Sequence, residues 1–296
     1  MRQIPRRDRV EASSSKDGRD FGVPLRSVLL VAALASLALV TATPGVRAAD
    51  PCADKDPSVQ ALKSGDKYQA AALLFSAARL GCEKEARALI DWGAAVDAKD
   101  REGATALARA AQAGKISVAT LLIEKGADVN ARAVDGSTPL FYAAEADRGP
   151  ATRLLIARGA DPNLPGRRGI RPLAAAAYAG SPESAELLIK KGADPNALDE
   201  DGRSAVVYAA GRGYAPVVDL LIASGVDVNR RYDHGLTALM WAAGHDASAG
   251  ADDVEATIKT LIAHGAALDA KDDRGKTAAD IARDMGRERE AKLLAQ

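Results

Sequence analysis

Gly159-Ala160-Asp161-Pro162-Asn163 is one of six versions of a single phrase. Gly93-Ala94-Ala95-Val96-Asp97 and Gly126-Ala127-Asp128-Val129-Asn130 precede it. Gly192-Ala193-Asp194-Pro195-Asn196, Gly225-Val226-Asp227-Val228-Asn229 and Gly265-Ala266-Ala267-Leu268-Asp269 follow. The glycines stand 33 residues apart over the first four intervals and 40 over the fifth. A second series, Gly103, Gly136, Gly169, Gly202, Gly235 and Gly275, keeps the same spacing. Two ladders in register at a period in the thirties describe a solenoid of supersecondary units, each too small to bury its own apolar face.

Inside each period the apolar residues recur with helical spacing. In one unit Thr105-Ala106-Leu107 opens a short helix through Ala110-Ala111 that stops at Gly114. A second helix buries Val118, Leu121, Leu122 and Ile123 and stops at Gly126. Glycine just past a helix end supplies the left-handed backbone that satisfies the last carbonyls. Paired alanines, from Ala77-Ala78 to Ala242-Ala243, leave room for close helix neighbours. The run from each Gly-Ala-Asp phrase to the next Gly is polar and turn-rich, as a projecting hairpin is.

Thr138-Pro139-Leu140, Ala143-Ala144, Leu154-Leu155-Ile156 and Gly159-Ala160-Asp161 together resemble the ankyrin repeat. The resemblance spans roughly residues 68–296. It implies an all-α solenoid of about six stacked helix-turn-helix units plus a C-terminal cap, with hairpin tips and first helices forming a concave face. Departures carry information. Ala72-Leu73-Leu74 replaces the Thr-Pro-Leu of the family, so the first unit reads as an N-terminal cap. Asp147 replaces a mid-repeat Gly, and Pro150 lies at a second-helix start. Arg171 replaces a capping Thr, which weakens a hairpin-to-helix hydrogen bond. The last unit ends in Asp284, Arg287, Glu288, Arg289, Glu290 and Lys292, a polar outer surface suited to a cap.

Residues 27–42 form an uncharged apolar run after Arg26 and before Val46-Arg47-Ala48. Its length is short for a membrane span and suits a secretory signal cleaved after Ala48. This assigns 1–48 to a signal peptide, 49–67 to an N-terminal segment and 68–296 to the repeats. The 26 residues ahead of the run are long for a charged leader, which a translation start near Val23 or Leu25 explains. An uncleaved anchor, the rival reading, would tether the chain to a membrane. The whole chain is neutral, with forty basic and forty acidic residues. Residues 1–48 hold eight of the basic and four of the acidic ones, leaving 32 against 36, near −4. That balance lacks the basic face of a nucleic-acid binder. The Ala- and Arg-rich composition and the export signal point to a bacterial periplasm.

Cys52 and Cys82 are the two cysteines. In an oxidising compartment two such residues pair. A bridge between them closes a loop of about 30 residues and is worth roughly 3–4 kcal/mol. Two thiols and an interchain bridge are the alternatives.

Chemistry is sparse. No Gly-x-Ser-x-Gly, phosphate-cradling glycine loop or paired-histidine helix motif occurs, so the sequence reads as a non-enzyme without cofactor. His245 begins an irregular stretch, 246–254, that accounts for the seven extra residues of the sixth repeat. With Asp246, Asp252 and Asp253 it suggests a small-ligand or metal carrier, although a dedicated zinc or calcium site needs more ligands at ordered spacing. The function read first is instead a scaffold or regulator that holds another protein.

If the resemblance holds, hairpin tips and the residues after each Ala pair face that partner. The fourth repeat is the most distinctive, with Arg167, Arg168 and Arg171 placed near Tyr178 and no acid in the same tip. Arginine and tyrosine dominate interface hot spots, and arginine suits a carboxylate-bearing partner. The competing reading pairs Arg167 and Arg168 with Glu200 and Asp201 on the adjacent tip. Arg203, Asp233, His234 and His245 extend the candidate surface. Tyr142, Tyr208 and Trp241 share one repeat position and are read first as packing between neighbours.

Overall fold

A computed structural model describes Cys52, residues 66–244 and residues 249–295. The expected signal peptide 1–48, most of the expected N-terminal segment 49–67, and His245 with residues 246–248 lie outside the described residues. Seven helix pairs follow one another: α1 (Lys67–Leu80) with α2 (Glu83–Trp92), α3 (Ala106–Gln112) with α4 (Ile116–Glu124), and α5 (Pro139–Glu145) with α6 (Gly149–Ala157). Then come α7 (Pro172–Ala179) with α8 (Pro182–Lys190), α9 (Ala205–Gly211) with α10 (Ala215–Ala223), α11 (Ala238–Ala243) with α12 (Ala251–Ala263), and α13 (Ala278–Asp284) with α14 (Glu288–Leu294). Odd-numbered helices pack on their odd neighbours as an inner row, and even-numbered helices from α2 to α12 do so as an outer row. The described residues form no strand, only an isolated bridge between Lys99 and Thr105.

The inner helices are short and nearly all alanine and leucine because they are buried almost all round. Ala106, Leu107, Ala110 and Ala111 are sealed, as are Leu140, Ala143 and Ala144, and so on to Ala282. The outer helices bury one stripe: Val118, Leu121 and Leu122 in α4, Val217, Val218 and Leu221 in α10. Threonine starts the inner helices for a local reason. The Oγ1 atoms of Thr105, Thr138, Thr237 and Thr277 accept from the amides of Ala108, Phe141, Met240 and Asp280. Arg171 and Ser204 make no such bond, so the expected loss of the cap at Arg171 is observed.

Two glycines show how tightly repeats are joined. Gly180 is left-handed (φ 72°) and a Cβ there would lie 2.6 Å from the Tyr214 ring. A Cβ on Gly166 would lie 2.7 Å from Phe141. Asp147 adopts φ 52°, the left-handed conformation of the glycine it replaces.

The loop leading into each inner helix is a finger, numbered here by the repeat it opens. Fingers two, five and seven are built on Asp100, Asp199 and Asp272, whose Oδ1 accepts two amides each at 2.9–3.0 Å. Fingers four and six have Gly166 and Tyr232 at that place and instead form single 3-10 turns, Arg167–Gly169 and Asp233–Gly235. Each turn puts a non-glycine residue, Arg168 (φ 54°) or His234 (φ 57°), in the left-handed region.

At the N-terminal end Cys52 and Cys82 are joined in a disulfide, the pairing read from the sequence. Cys82 is buried at the start of α2, so the bridge ties the segment before α1 to the first repeat. The expected irregular stretch 246–254 is corrected in its second half. Residues 251–254 are the opening of the 13-residue helix α12, and Val254 is fully buried. Asp252 and Asp253 occupy its first turn, where carboxylates suit the positive end of the helix dipole. Asp252 also pairs with Arg289 at 2.8 Å, so these acids have structural work in the cap.

Candidate partner-binding face

Fingers and inner helices line one side of the array, and its chemistry is arginine laid on aromatic rings. Arg109 lies 5.9 Å from the Tyr142 ring centre, Arg167 5.6 Å from Phe141, and Arg230 5.5 Å from Tyr232. The densest group spans repeats four to six. Arg212 sits 4.5 Å from the Tyr178 ring and 5.8 Å from Tyr214, and its guanidinium donates to both hydroxyls at 3.4 and 3.5 Å. Tyr178 meets Tyr208 edge to face at 6.1 Å. Arg203 lies 5.0 Å from Trp241.

These rings are half-buried at Tyr178, Tyr208, Tyr214 and Trp241, and nearly covered at Tyr142. The sequence reading of Tyr142, Tyr208 and Trp241 as inter-repeat packing therefore describes them in part, since Tyr208 and Trp241 are only half-buried. Burial, with help from the Asp199 carboxylate that accepts its hydroxyl, pushes the Tyr208 pKa well up. Burial first, then the Asp135 charge, does the same for Tyr142. Both phenols stay neutral donors at any ordinary pH.

The arginines of the fourth finger do not stand unpaired. Arg167 bridges back to Glu145 of the third repeat, and Arg168 bridges forward to Asp201. Of the pairings weighed from sequence, Arg168 with Asp201 forms, whereas Arg167 chooses Glu145 at the end of the preceding inner helix, a pairing the sequence did not suggest. Arg171 does not join them. Its guanidinium donates to the carbonyls of Asn163 (3.2 Å) and Leu198 (3.1 Å), replacing the missing helix cap with a staple between fingers. Glu200 is exposed, and its amide donates to the Arg168 carbonyl at 3.0 Å. Arg203 also reaches Asp201 at 4.0 Å. Asp233 and His234 are mostly exposed and face each other at 3.3 Å. Exposed pairs such as these hold under about 1 kcal/mol each, so a partner can exchange them cheaply.

Family models for ankyrin repeats match residues 48–133, 74–166, 131–199, 173–251 and 234–273. The chain belongs to the ankyrin-repeat family. Ankyrin repeats are as a rule interaction modules that bind other proteins, and they bring no catalytic machinery of their own. No curated protein matched the chain. Among the described residues of this ankyrin array no three His, Cys, Asp or Glu side chains gather as a metal-binding set, and no described helix is long and apolar enough to cross a membrane.

Sequence reasoning missed one ring of the group. Tyr214 was not singled out, although it stands 34 residues after Gly180, as Arg148 does after Gly114 and Lys115 after Gly81. In each case the later side chain covers the earlier glycine. Arg212 likewise gains its meaning only beside Tyr178 and Tyr214. A shallow apolar groove of about 210 Å³ between α11 and α13, lined by Leu236, Met240, Trp241, Ile281 and Met285, also escaped notice.

Proposed function

We propose that this ankyrin array binds another protein on its inner face and acts as a scaffold or regulator without chemistry of its own. The contact centres on Tyr178, Arg203, Arg212, Tyr214 and Trp241. Arg167, Arg168, Glu200, Asp201, Asp233 and His234 form its rim. One observation carries the reading: Arg212 lies over the Tyr178 ring and donates to the hydroxyls of Tyr178 and Tyr214, two half-buried tyrosines. Tyr, Trp and Arg are the side chains that concentrate binding energy at protein interfaces, and stacking spares much of the entropy of ordering an arginine on contact. Arginine is a side chain that suits carboxylates of a partner. The apolar run at 27–42 and the Cys52–Cys82 bridge support a place outside the cytoplasm, in a bacterial periplasm.

Affinity capture from the exported fraction tests this, with the chain lacking residues 1–48 used beside its Arg203→Glu/Arg212→Glu variant. A protein retained by the parent and lost by the variant is expected. Equal capture by both would place the contact elsewhere.

A further inference from the structure

The fifth and sixth repeats are joined differently from the other finger-bearing neighbours. Three polar ladders run along the fingers. In the first, the side chain ending each Gly-Ala-Asp phrase accepts an amide of the next phrase. Asp97 takes the Asp128 amide, Asn130 that of Asp161, Asn163 that of Asp194, and Asn229 that of Ala267, at 2.8–3.1 Å. The three asparagines also donate forward, to the carbonyls of Gly159, Gly192 and Gly265.

In the second ladder a cation donates to a carbonyl of the next finger. Lys99 reaches Arg132, Arg132 reaches Pro165, and Arg231 reaches Lys271. Pro165 cannot serve, and Arg171 does so in its place by reaching Leu198. In the third ladder the tips themselves meet. The amides of Val134, Glu200 and Asp273 donate to the carbonyls of Glu102, Arg168 and His234, and the Arg167 amide donates to Ser137 Oγ.

Among the described residues, all three ladders skip the junction of repeats five and six. Asn196 makes neither of its ladder bonds; its Oδ1 and carbonyl are held by Arg230 at 3.4 and 3.3 Å. Leu198 stands where the cation belongs and is 41% exposed. No backbone bond links the tips of fingers five and six. Tyr232 and Ser204 approach across the same junction, yet their buried hydroxyls fall short of hydrogen-bond geometry. The outer row does not share the gap, because His264 pairs with Asp219 at 2.7 Å and ties α12 to α10 across this junction. Among the described residues, the apolar core, the Arg230–Asn196 contact, the His264–Asp219 pair and the stacking of Arg203 on Trp241 cross the junction.

We propose that the junction between the fifth and sixth repeats is a hinge, at which the sixth repeat and the C-terminal pair open from the first five as one body. Stability in a solenoid is a sum of repeat terms and neighbour terms, so the fingers part most easily where the bonds between them are missing. The body beyond the hinge holds two helix pairs, fewer than the three repeats a stable array needs, and it opens first. Because Arg203 and Trp241 face each other across the hinge on the inner side, opening widens the groove in which a partner would lie. The hinge itself stands on the ladders alone and needs no partner.

Hydrogen exchange read by mass spectrometry on the intact chain tests it, alongside Leu198→Arg and Leu198→Lys, which restore the missing cation. Peptides from about residue 225 onward are expected to exchange as a block well before those from 100–223. Either substitution slows the C-terminal block by roughly threefold to tenfold, the worth of one exposed hydrogen bond, and leaves the N-terminal block unchanged. A break in protection at another junction, protection lost uniformly, or a C-terminal block indifferent to both substitutions would each overturn the hinge.

Discussion

Arg203, in the fifth finger, lays its guanidinium 5.0 Å from the ring centre of Trp241 in the sixth repeat. It is the contact by which the inner face crosses a junction that the finger ladders leave open. The same arginine is only loosely held by acid, with Asp201 at 4.0 Å. Its stacking, more than its charge pairing, sets its place.

Arg203→Ala is therefore expected to cost little stability, about 0.5–1 kcal/mol, while exposing the Trp241 ring. Urea unfolding and the tryptophan emission maximum, read in a Trp92→Phe background, check both. A large loss of stability with unchanged emission would mean that Arg203 acts through another contact.

Gly180→Ala should be far worse than Gly126→Ala. Both positions are left-handed, so both substitutions carry about 1–2 kcal/mol of backbone strain. Only at Gly180 does the new methyl meet a ring, that of Tyr214, whereas the space at Gly126 is open. The difference should be about 1–3 kcal/mol, the usual cost of overpacking. Equal melting temperatures for the two variants would remove Tyr214 from its assigned place over that glycine.

Replacing Cys82 by serine should weaken the N-terminal repeat by roughly 3 kcal/mol, the worth of closing a loop of this length. Trp92 ends α2 of that repeat and reports on it. Its emission should change at lower urea in the variant, ahead of Trp241. Coincident, unshifted transitions would show that the bridge contributes nothing to the cap.

The Asp272 carboxyl binds pH to the stability of the last repeat. Burial pushes its pKa up, but the amides of Lys276 and Arg274 and the Arg274 guanidinium outweigh burial and hold it below the usual carboxylate range. A depressed folded-state pKa adds stability that is present above the unfolded value and lost as pH falls through the folded one. Asp272→Asn is expected to lower the melting temperature at pH 7, and the gap to the parent should close as pH falls below about 4, the unfolded carboxylate range. A gap that persists unchanged at pH 2 would show that charge is not the cause.

How much of this was legible depended on whether the signal was periodic. The helix pairs, the turn glycines and the loss of the cap at Arg171 follow from residues that recur, and recurrence is what a single sequence displays best. The pairing of Cys52 with Cys82 followed from there being two cysteines and a compartment. Arg167 was harder, because Glu145 lies on the inner helix of the preceding repeat and nothing in their spacing of 22 marks them as neighbours. The hinge was hidden for a related reason. Asn196 keeps the phrase intact in sequence, and its loss of both ladder bonds depends on where Arg230 comes to rest. The helical start of residues 251–254 was obscured by the loop composition of Ser248-Ala249-Gly250 just before it.

The face that carries binding can be read directly by site-specific photo-crosslinking in the exported fraction. A photoreactive phenylalanine would be placed at Tyr178 or Tyr208 on the inner side, and at Arg153 or Lys259 on the outer helices. Adducts to one and the same protein from the two inner positions, with none from the outer pair, are expected. Adducts formed as well or better from Arg153 and Lys259 would contradict binding on the inner face.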